Sequence, residues 1–185
     1  MGLRARADQE LEELKNVFEK MNDADIMPLM DAVLSAKKIV CYGAGREGLG
    51  LKFFVMRLMH LGLDAHWAME DTAPGIGPGD VFFVSCGPGF YSHVVYLAEK
   101  AKEAGATVVT VTADPHSDIG KISDVICRLP AMAWRAKGDL VQSGQIMGNL
   151  YEQAAVLLFD IISQELKERL KLSDAEMEKR HRNYE

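Results

Sequence analysis

Two glycine-rich segments carry the residue types best suited to ligand binding. Residues 43–48 read Gly-Ala-Gly-Arg-Glu-Gly, and residues 86–91 read Cys-Gly-Pro-Gly-Phe-Tyr. Each follows an apolar run typical of a buried strand and precedes a helical pattern. Glycines let the backbone approach a ligand, and the N-terminus of the following helix favours an anion. The predicted contacts are Gly43, Gly45, Arg46, Glu47, Cys86, Gly87, Gly89, Phe90, Tyr91 and Ser92.

The first of these turns matches the dinucleotide fingerprint G-x-G-x-x-G, and Glu70 follows where a ribose-binding acid would stand. The pattern is weak on its own, because a tight strand-to-helix turn also needs glycines when no cofactor binds. Two helical segments before the first strand and a long C-terminal helix are not typical of a dehydrogenase. We therefore expect no cofactor.

Side chains of the second turn suggest two further kinds of chemistry. Cys86 lies at a strand end next to a helix N-terminus, an environment that lowers a thiol pKa and favours a nucleophile. A small buried cysteine is the more common outcome. Phe90 and Tyr91 are suited to stacking against an apolar sugar face, or equally to packing the helix start on the sheet.

Three residues elsewhere are candidates for proton transfer: Glu152, His60 and His181. Glu152 lies near the start of the long C-terminal helix, and a partly buried carboxylate there can take a C–H proton. An exposed helical glutamate is the common alternative. Histidine titrates near neutral pH, which suits transfer to oxygen. A structural role for His60 and a solvated role for His181 remain alternatives.

Composition excludes several classes of protein. The chain has 185 residues with 21 basic and 27 acidic side chains, a net charge of −6 that argues against nucleic-acid and anionic-membrane partners. Cys41, Cys86 and Cys127 fit neither a disulfide framework nor a metal site, and the His, Asp and Glu spacings suggest no metal. No secretory leader is recognisable, and no apolar stretch reaches the roughly 20 residues of a membrane span. We expect a cytoplasmic protein.

Strands alternate with helices along the middle of the chain, which predicts an α/β fold with a parallel sheet and helices on both faces. The predicted strands are 38–42, 64–69, 80–85, 107–112 and 125–129. Helices are predicted over 7–21, 25–36, 46–61, 91–104, 117–122 and 145–170, and Ser173-Asp-Ala-Glu176 indicates a capping box. A single domain results, with N-terminal helices over 1–36, an α/β core over 37–130 and C-terminal helices over 144–185. In such sheets ligands bind beyond the carboxyl ends of the strands, which places the site between the two turns.

Over nearly its whole length the sequence resembles the sugar isomerase (SIS) superfamily, and within it the 6-phospho-3-hexuloisomerases. The resemblance is carried by Tyr42-Gly-Ala-Gly-Arg46, Met56-Arg-Leu-Met-His-Leu-Gly62, Glu70-Asp-Thr-Ala-Pro74, Gly105-Ala-Thr-Val-Val-Thr-Val-Thr112, Asp114-Pro115, Gly148-Asn-Leu-Tyr-Glu152 and Arg180-His-Arg-Asn-Tyr-Glu185. It implies a three-layer α-β-α sandwich with a five-stranded parallel sheet and a homo-oligomer, either a tetramer or a dimer. It also implies isomerisation of phosphosugars through a cis-enediol, with Glu152 as the C–H base and His181 and His60 as proton shuttles. The resemblance also implies that His181, in the C-terminal tail, reaches an active site, either in its own subunit or in a neighbouring one.

The sequence departs from the family at the phosphate-binding turn. Family members usually carry Ser-Gly-Ser-Gly-Glu-Thr there, whereas this chain has Cys-Gly-Pro-Gly-Phe-Tyr, and Pro88 lacks a backbone N–H. Glu47 stands where the family commonly has serine, and a carboxylate repels a phosphate unless it is protonated or paired. The main prediction is a sugar isomerase, most simply of a phosphosugar. The alternatives are a regulatory SIS protein that binds a sugar phosphate without catalysis and, third, a nicotinamide-binding oxidoreductase.

Overall fold

The computed structural model describes residues 2–184 and contains five strands and seven α-helices within them. The strands are β1 (Ile39–Gly43), β2 (Ala65–Trp67), β3 (Val81–Ser85), β4 (Thr107–Thr112) and β5 (Val125–Arg128). The helices are α1 (Leu3–Lys20), α2 (Ile26–Ser35), α3 (Gly45–His60), α4 (Ser92–Glu103), α5 (Asp118–Ile122), α6 (Asn149–Arg169) and α7 (Asp174–Glu178).

The five strands form one sheet in the order β2-β1-β3-β4-β5, and every neighbouring pair is parallel. This confirms the predicted fold class and its strand number. The chain moves from β1 outward to β2 and then returns to β3 on the other side of β1, so the strand order reverses between β1 and β3. Gly43 at the end of β1 pairs with Ser85 at the end of β3, and the two glycine-rich turns therefore leave the sheet side by side.

Alternation along the strands divides the core into two layers, because successive side chains in a strand point to opposite faces. Cys41, Phe83 and Val109 face a layer formed with α2, α3 and α6, where the rings of Phe54 and Phe159 lie 5.2 Å apart. The opposite side chains, Phe82 among them, face a layer formed with α4 and α5. Both faces of the sheet are covered, as expected for a parallel sheet.

The structure corrects several predicted boundaries. Helix α6 begins at Asn149 rather than at residue 145, because Met147 and Gly148 have left-handed φ values of 52° and 85° that a right-handed helix does not accommodate. Helix α1 begins at Leu3 rather than at residue 7, and β2 has three residues rather than six. The capping box at Ser173 is confirmed, since its hydroxyl accepts the Glu176 N–H and the Glu176 carboxylate accepts the Ser173 N–H.

Among the described residues there is neither a membrane-spanning helix nor a metal-binding cluster. No helix within residues 2–184 has the length and apolar character that crossing a bilayer requires. Within the same residues there is no cluster of three or more histidine, cysteine or acidic side chains suited to a metal ion.

Candidate active site

The first turn brings α3 unusually close to β1. An added Cβ on Gly48 would lie 2.2 Å from the carbonyl oxygen of Gly43, and one on Gly43 would lie 3.2 Å from the backbone of Gly48. Gly45 also requires a left-handed φ of 55°. Close backbone approach therefore explains Gly43 and Gly48, and the left-handed φ explains Gly45, without any ligand. The close approach of α3 to β1 also orients the first turn of α3, so that Arg46 and Glu47 lie beyond the carboxyl end of the sheet.

Glu152 faces a groove between α3 and α6. Its Oε2 accepts a hydrogen bond of 2.6 Å from Nε of Arg46, and its side chain retains 17 % of its surface, compared with 66 % for Arg46. The groove has a volume of about 440 Å³. Its lining residues are Arg46, Leu49, Gly50, Phe53, Glu152, Gln153 and Val156. A carboxylate in the first turn of a helix, held by a more exposed guanidinium, is a base within reach of a small ligand.

Glu47 connects the two turns. It is 8 % exposed, and its Oε2 accepts the backbone N–H of Gly87 at 2.8 Å and the Ser85 hydroxyl at 3.4 Å. Burial, and to a smaller extent the charge of Glu152, raises the pKa of Glu47 to about 7, against the hydrogen bonds that lower it. A carboxyl group that titrates near neutrality thus lies beside the Glu152 groove.

A buried tyrosine completes this polar cluster. Tyr151 has no exposed surface, its Oη donates to the carbonyl oxygen of Val111 at 2.9 Å, and the Ser85 Oγ lies 3.4 Å away. Its ring also explains Gly87, because an added Cβ there would lie 2.8 Å from the tyrosine Cδ1. The sequence analysis gave Tyr151 no role. The one signal that could have placed it in the site is its position next to Glu152 in the sequence.

Cys86 does not have the environment expected of a nucleophile. It is fully buried, and burial followed by the charge of Glu47 raises its thiol pKa to about 12. The backbone N–H groups of Gly89, Phe90 and Tyr91 point toward its sulfur and only partly oppose that rise. The expectation of a lowered pKa is wrong, because the helix N-terminus is outweighed by the loss of solvent.

Beyond the second turn lies an aromatic cluster. The rings of Phe90 and Tyr91 each lie 6.4 Å from the ring of Trp134, a residue of the irregular segment after β5 that sequence reasoning did not single out. Arg135 packs on the Trp134 ring at 4.3 Å and lines a separate cavity of about 370 Å³ with Lys137. The cluster is formed by packing between chain segments and leaves Phe90 40 % exposed.

The two predicted proton shuttles lie at the other end of α3. The rings of His60 and His181 stack 5.2 Å apart at an angle of 14°, with His60 buried, and Nη1 of Arg180 donates to the His60 carbonyl oxygen at 3.2 Å. His60 is 13 residues beyond Glu47, which at a helical rise of 1.5 Å is about 20 Å. Within one chain the histidines therefore do not join the Glu152 groove.

The last two predicted residues, Ser92 and Glu70, do not line the Glu152 groove. Ser92 is exposed and begins α4 directly after the second turn. Glu70 is exposed beyond the end of β2 and lines a different cavity together with Lys52 and Trp67. Glu70 thus shares no cavity with the Glu152 groove.

The strand order, the two glycine turns and the carboxylate in the first turn of α6 fit the SIS class of sugar isomerase domains, and the comparisons with known proteins support that class. No protein-family model matches the chain. A hypothetical protein of Methanococcus jannaschii, whose crystal structure was interpreted as 3-hexulose-6-phosphate isomerase, superposes with a TM-score of 0.84. That comparison has 27 % identity and covers 97 % of this chain and 98 % of the other.

Two curated relatives define the family more closely. The 3-hexulose-6-phosphate isomerase of Bacillus subtilis is 35 % identical over 175 residues, which are 95 % of each chain. The enzyme of the same name from Mycobacterium gastri is 33 % identical over 174 residues, 94 % of this chain and 87 % of its own. The chain belongs to the 3-hexulose-6-phosphate isomerase family and is an isomerase.

Proposed function

We propose that this protein moves the carbonyl group of a 3-hexulose 6-phosphate, or of a closely related phosphorylated ketose, to the neighbouring carbon in the Glu152 groove. The observation that carries the proposal is the Glu152 carboxylate, buried on all but 17 % of its surface and bonded to Arg46. The relatives from Bacillus subtilis and Mycobacterium gastri support the substrate, because each is named 3-hexulose-6-phosphate isomerase.

The chemistry follows from the position of the carboxylate. Glu152 removes the proton from the carbon next to the carbonyl, which produces a cis-enediolate, and returns it to the former carbonyl carbon. The hydroxyl proton of the neighbouring carbon passes to the former carbonyl oxygen, which leaves the carbonyl one carbon further along. The negative charge that develops on oxygen needs hydrogen-bond donors. The Arg46 guanidinium carries further N–H groups besides the Nε–H bonded to Glu152, and it lines the same groove. Arg46 thus orients the base and offers donors to the enediolate oxygens.

The groove continues into an apolar surface that supports self-association. Leu49 and Phe53 on α3 are 61 % and 62 % exposed, and Met56, Leu157 and Ile161 extend the same surface along α3 and α6. Burying such side chains contributes about 25 cal/mol per Å². We propose that a second copy packs here in a homo-oligomer.

A partner subunit's tail is then the source of the proton-transferring His181, which lies far from Glu152 within its own chain. We also propose a cytoplasmic location, in keeping with a metabolic isomerase.

The proposed activity is tested by direct observation of the sugar. The purified protein is incubated with 3-hexulose 6-phosphate and, separately, with the unphosphorylated hexulose, and the carbonyl carbon is followed by ¹³C NMR. Migration of the carbonyl to a neighbouring carbon supports the proposal. Binding without migration would instead favour the regulatory alternative. A thermal shift with a nicotinamide cofactor would favour the oxidoreductase alternative.

A further inference from the structure

The second turn lies at the end of β3, directly before α4, where backbone N–H groups commonly bind anions. In this chain those groups are directed at acceptors inside the protein. The N–H of Gly87 donates to Glu47, and the N–H groups of Gly89, Phe90 and Tyr91 point toward the Cys86 sulfur. The residue between them is proline, which has no N–H. The Gly87 N–H is therefore engaged before any ligand arrives, and Pro88 offers no donor in its place.

The charges around the turn also oppose an anion. An anion that replaced Glu47 as acceptor for Gly87 would lie within a few ångströms of the displaced carboxylate. Glu152 adds a second carboxylate close enough to raise the pKa of Glu47, and the Arg46 guanidinium is bonded to Glu152 rather than to Glu47. Two like charges a few ångströms apart repel strongly where water is excluded. Glu47 is 8 % exposed, so solvent screens little of this repulsion.

We propose that Glu47 is a specificity-determining residue that keeps a phosphate dianion away from the second turn, so that a sugar phosphate binds with an uncharged hydroxyl end toward Gly87. This inference rests on the proposed function for the identity of the sugar. The contact between Glu47 and Gly87 stands without it. In this orientation Glu47 hydrogen-bonds to a sugar hydroxyl group. A hydroxyl group donates to the carboxylate and accepts from the protonated carboxyl group, so it pairs with Glu47 in both forms.

The test measures binding of inorganic phosphate at pH 8.0, where phosphate is mainly a dianion. The backbone amide signals of Gly87, Gly89, Phe90 and Tyr91 are followed by ¹⁵N NMR in the unaltered protein and in Glu47→Ser and Glu47→Gln. Glu165→Ser is the matched control, because it removes one exposed carboxylate from the far half of α6. We expect the dissociation constant for phosphate at these amides to fall at least tenfold in Glu47→Ser and at least threefold in Glu47→Gln, with no change in the control.

Two results would overturn the inference. One is saturation of the Gly87, Gly89, Phe90 and Tyr91 amides in the unaltered protein at the same phosphate concentration as in Glu47→Ser. The other is the absence of any gain in both variants. Glu47→Gln keeps the side-chain shape and an acceptor for Gly87, so a folded variant is available even when the serine variant does not fold. The titration needs no turnover, and its failure is therefore distinguishable from failure of the proposed isomerase activity.

Discussion

Replacing Glu47 with glutamine is expected to make the protein less sensitive to pH, and more stable at alkaline pH. The carboxyl group is buried between the two turns, and its pKa is about 7 in the folded protein, compared with 4.5 in the unfolded chain. Between these values the folded protein holds a proton that the unfolded chain has released. The free energy of unfolding therefore falls as the pH rises from 4.5 to 7, and above that range this group changes it no further.

The size of the effect follows from the same two values. A rise from 4.5 to about 7 corresponds to about 3 kcal/mol of stability that is present at acid pH and lost at alkaline pH. Glutamine resembles the protonated carboxyl group in shape and also accepts the Gly87 N–H, but it does not titrate. The difference in unfolding free energy between Glu47→Gln and the unaltered protein should be close to zero at pH 4.5 and about 3 kcal/mol in favour of the variant at pH 8.

Urea denaturation at half-unit pH intervals, with equal protomer concentrations, measures this difference directly. Taking the difference cancels the histidines and the other carboxylates that titrate in both proteins. A difference independent of pH would refute the reasoning, because Glu47 would then titrate alike in the folded and unfolded states. A difference that rises only below pH 5 would refute the effect of burial on this group.

Three further substitutions test the surroundings of the site. Tyr151→Phe removes the O–H donor to the Val111 carbonyl and should lower the free energy of unfolding by about 1–3 kcal/mol in urea denaturation. Gly89→Ala places a Cβ at a left-handed φ of 76° and 2.0 Å from a side-chain oxygen, so a loss of at least ~2 kcal/mol is expected in the same assay. Phe53→Ser, on the exposed face of α3, should shift the molecular mass toward that of the monomer in sedimentation equilibrium.

Matched controls exist for these variants. Gly75→Ala adds a Cβ with nothing within 4 Å and no left-handed backbone, so it should leave stability within about 0.5 kcal/mol. Tyr96→Ser removes an exposed aromatic side chain from α4 and should leave the oligomer unchanged. Equal effects of Phe53→Ser and Tyr96→Ser on mass would contradict the proposed interface. Wild-type stability in Tyr151→Phe would contradict a structural role for its hydroxyl group.

The fold was largely predictable from the sequence, because its signals are local. Runs such as Val81–Ser85 are apolar and β-rich, and glycines interrupt them where α3 must approach β1 closely. The start of α6 was not predictable, since the left-handed φ of Met147 is an uncommon conformation for a non-glycine residue. Helix propensity alone extends that helix by one turn.

The site was predictable only in part, because its key contacts join distant segments. The carboxylate of Glu47 meets the N–H of Gly87 across 40 positions, and Arg46 meets Glu152 across 106. A charged residue in the first turn of a helix is predicted to be exposed unless the segment that covers it is known. The residues next to Glu47 in the sequence give no indication that it is buried. Cys86 shows the same limitation, since its burial reverses the effect expected from the helix N-terminus.

The central claim is that Glu152 takes the proton from carbon. Its most direct test is the rate of deuterium incorporation from D₂O into 3-hexulose 6-phosphate at the carbon next to the carbonyl, measured for the unaltered protein and for Glu152→Gln. The account predicts incorporation by the unaltered protein and a loss of at least about 10³-fold in a folded Glu152→Gln variant. Undiminished incorporation in that variant would contradict the account.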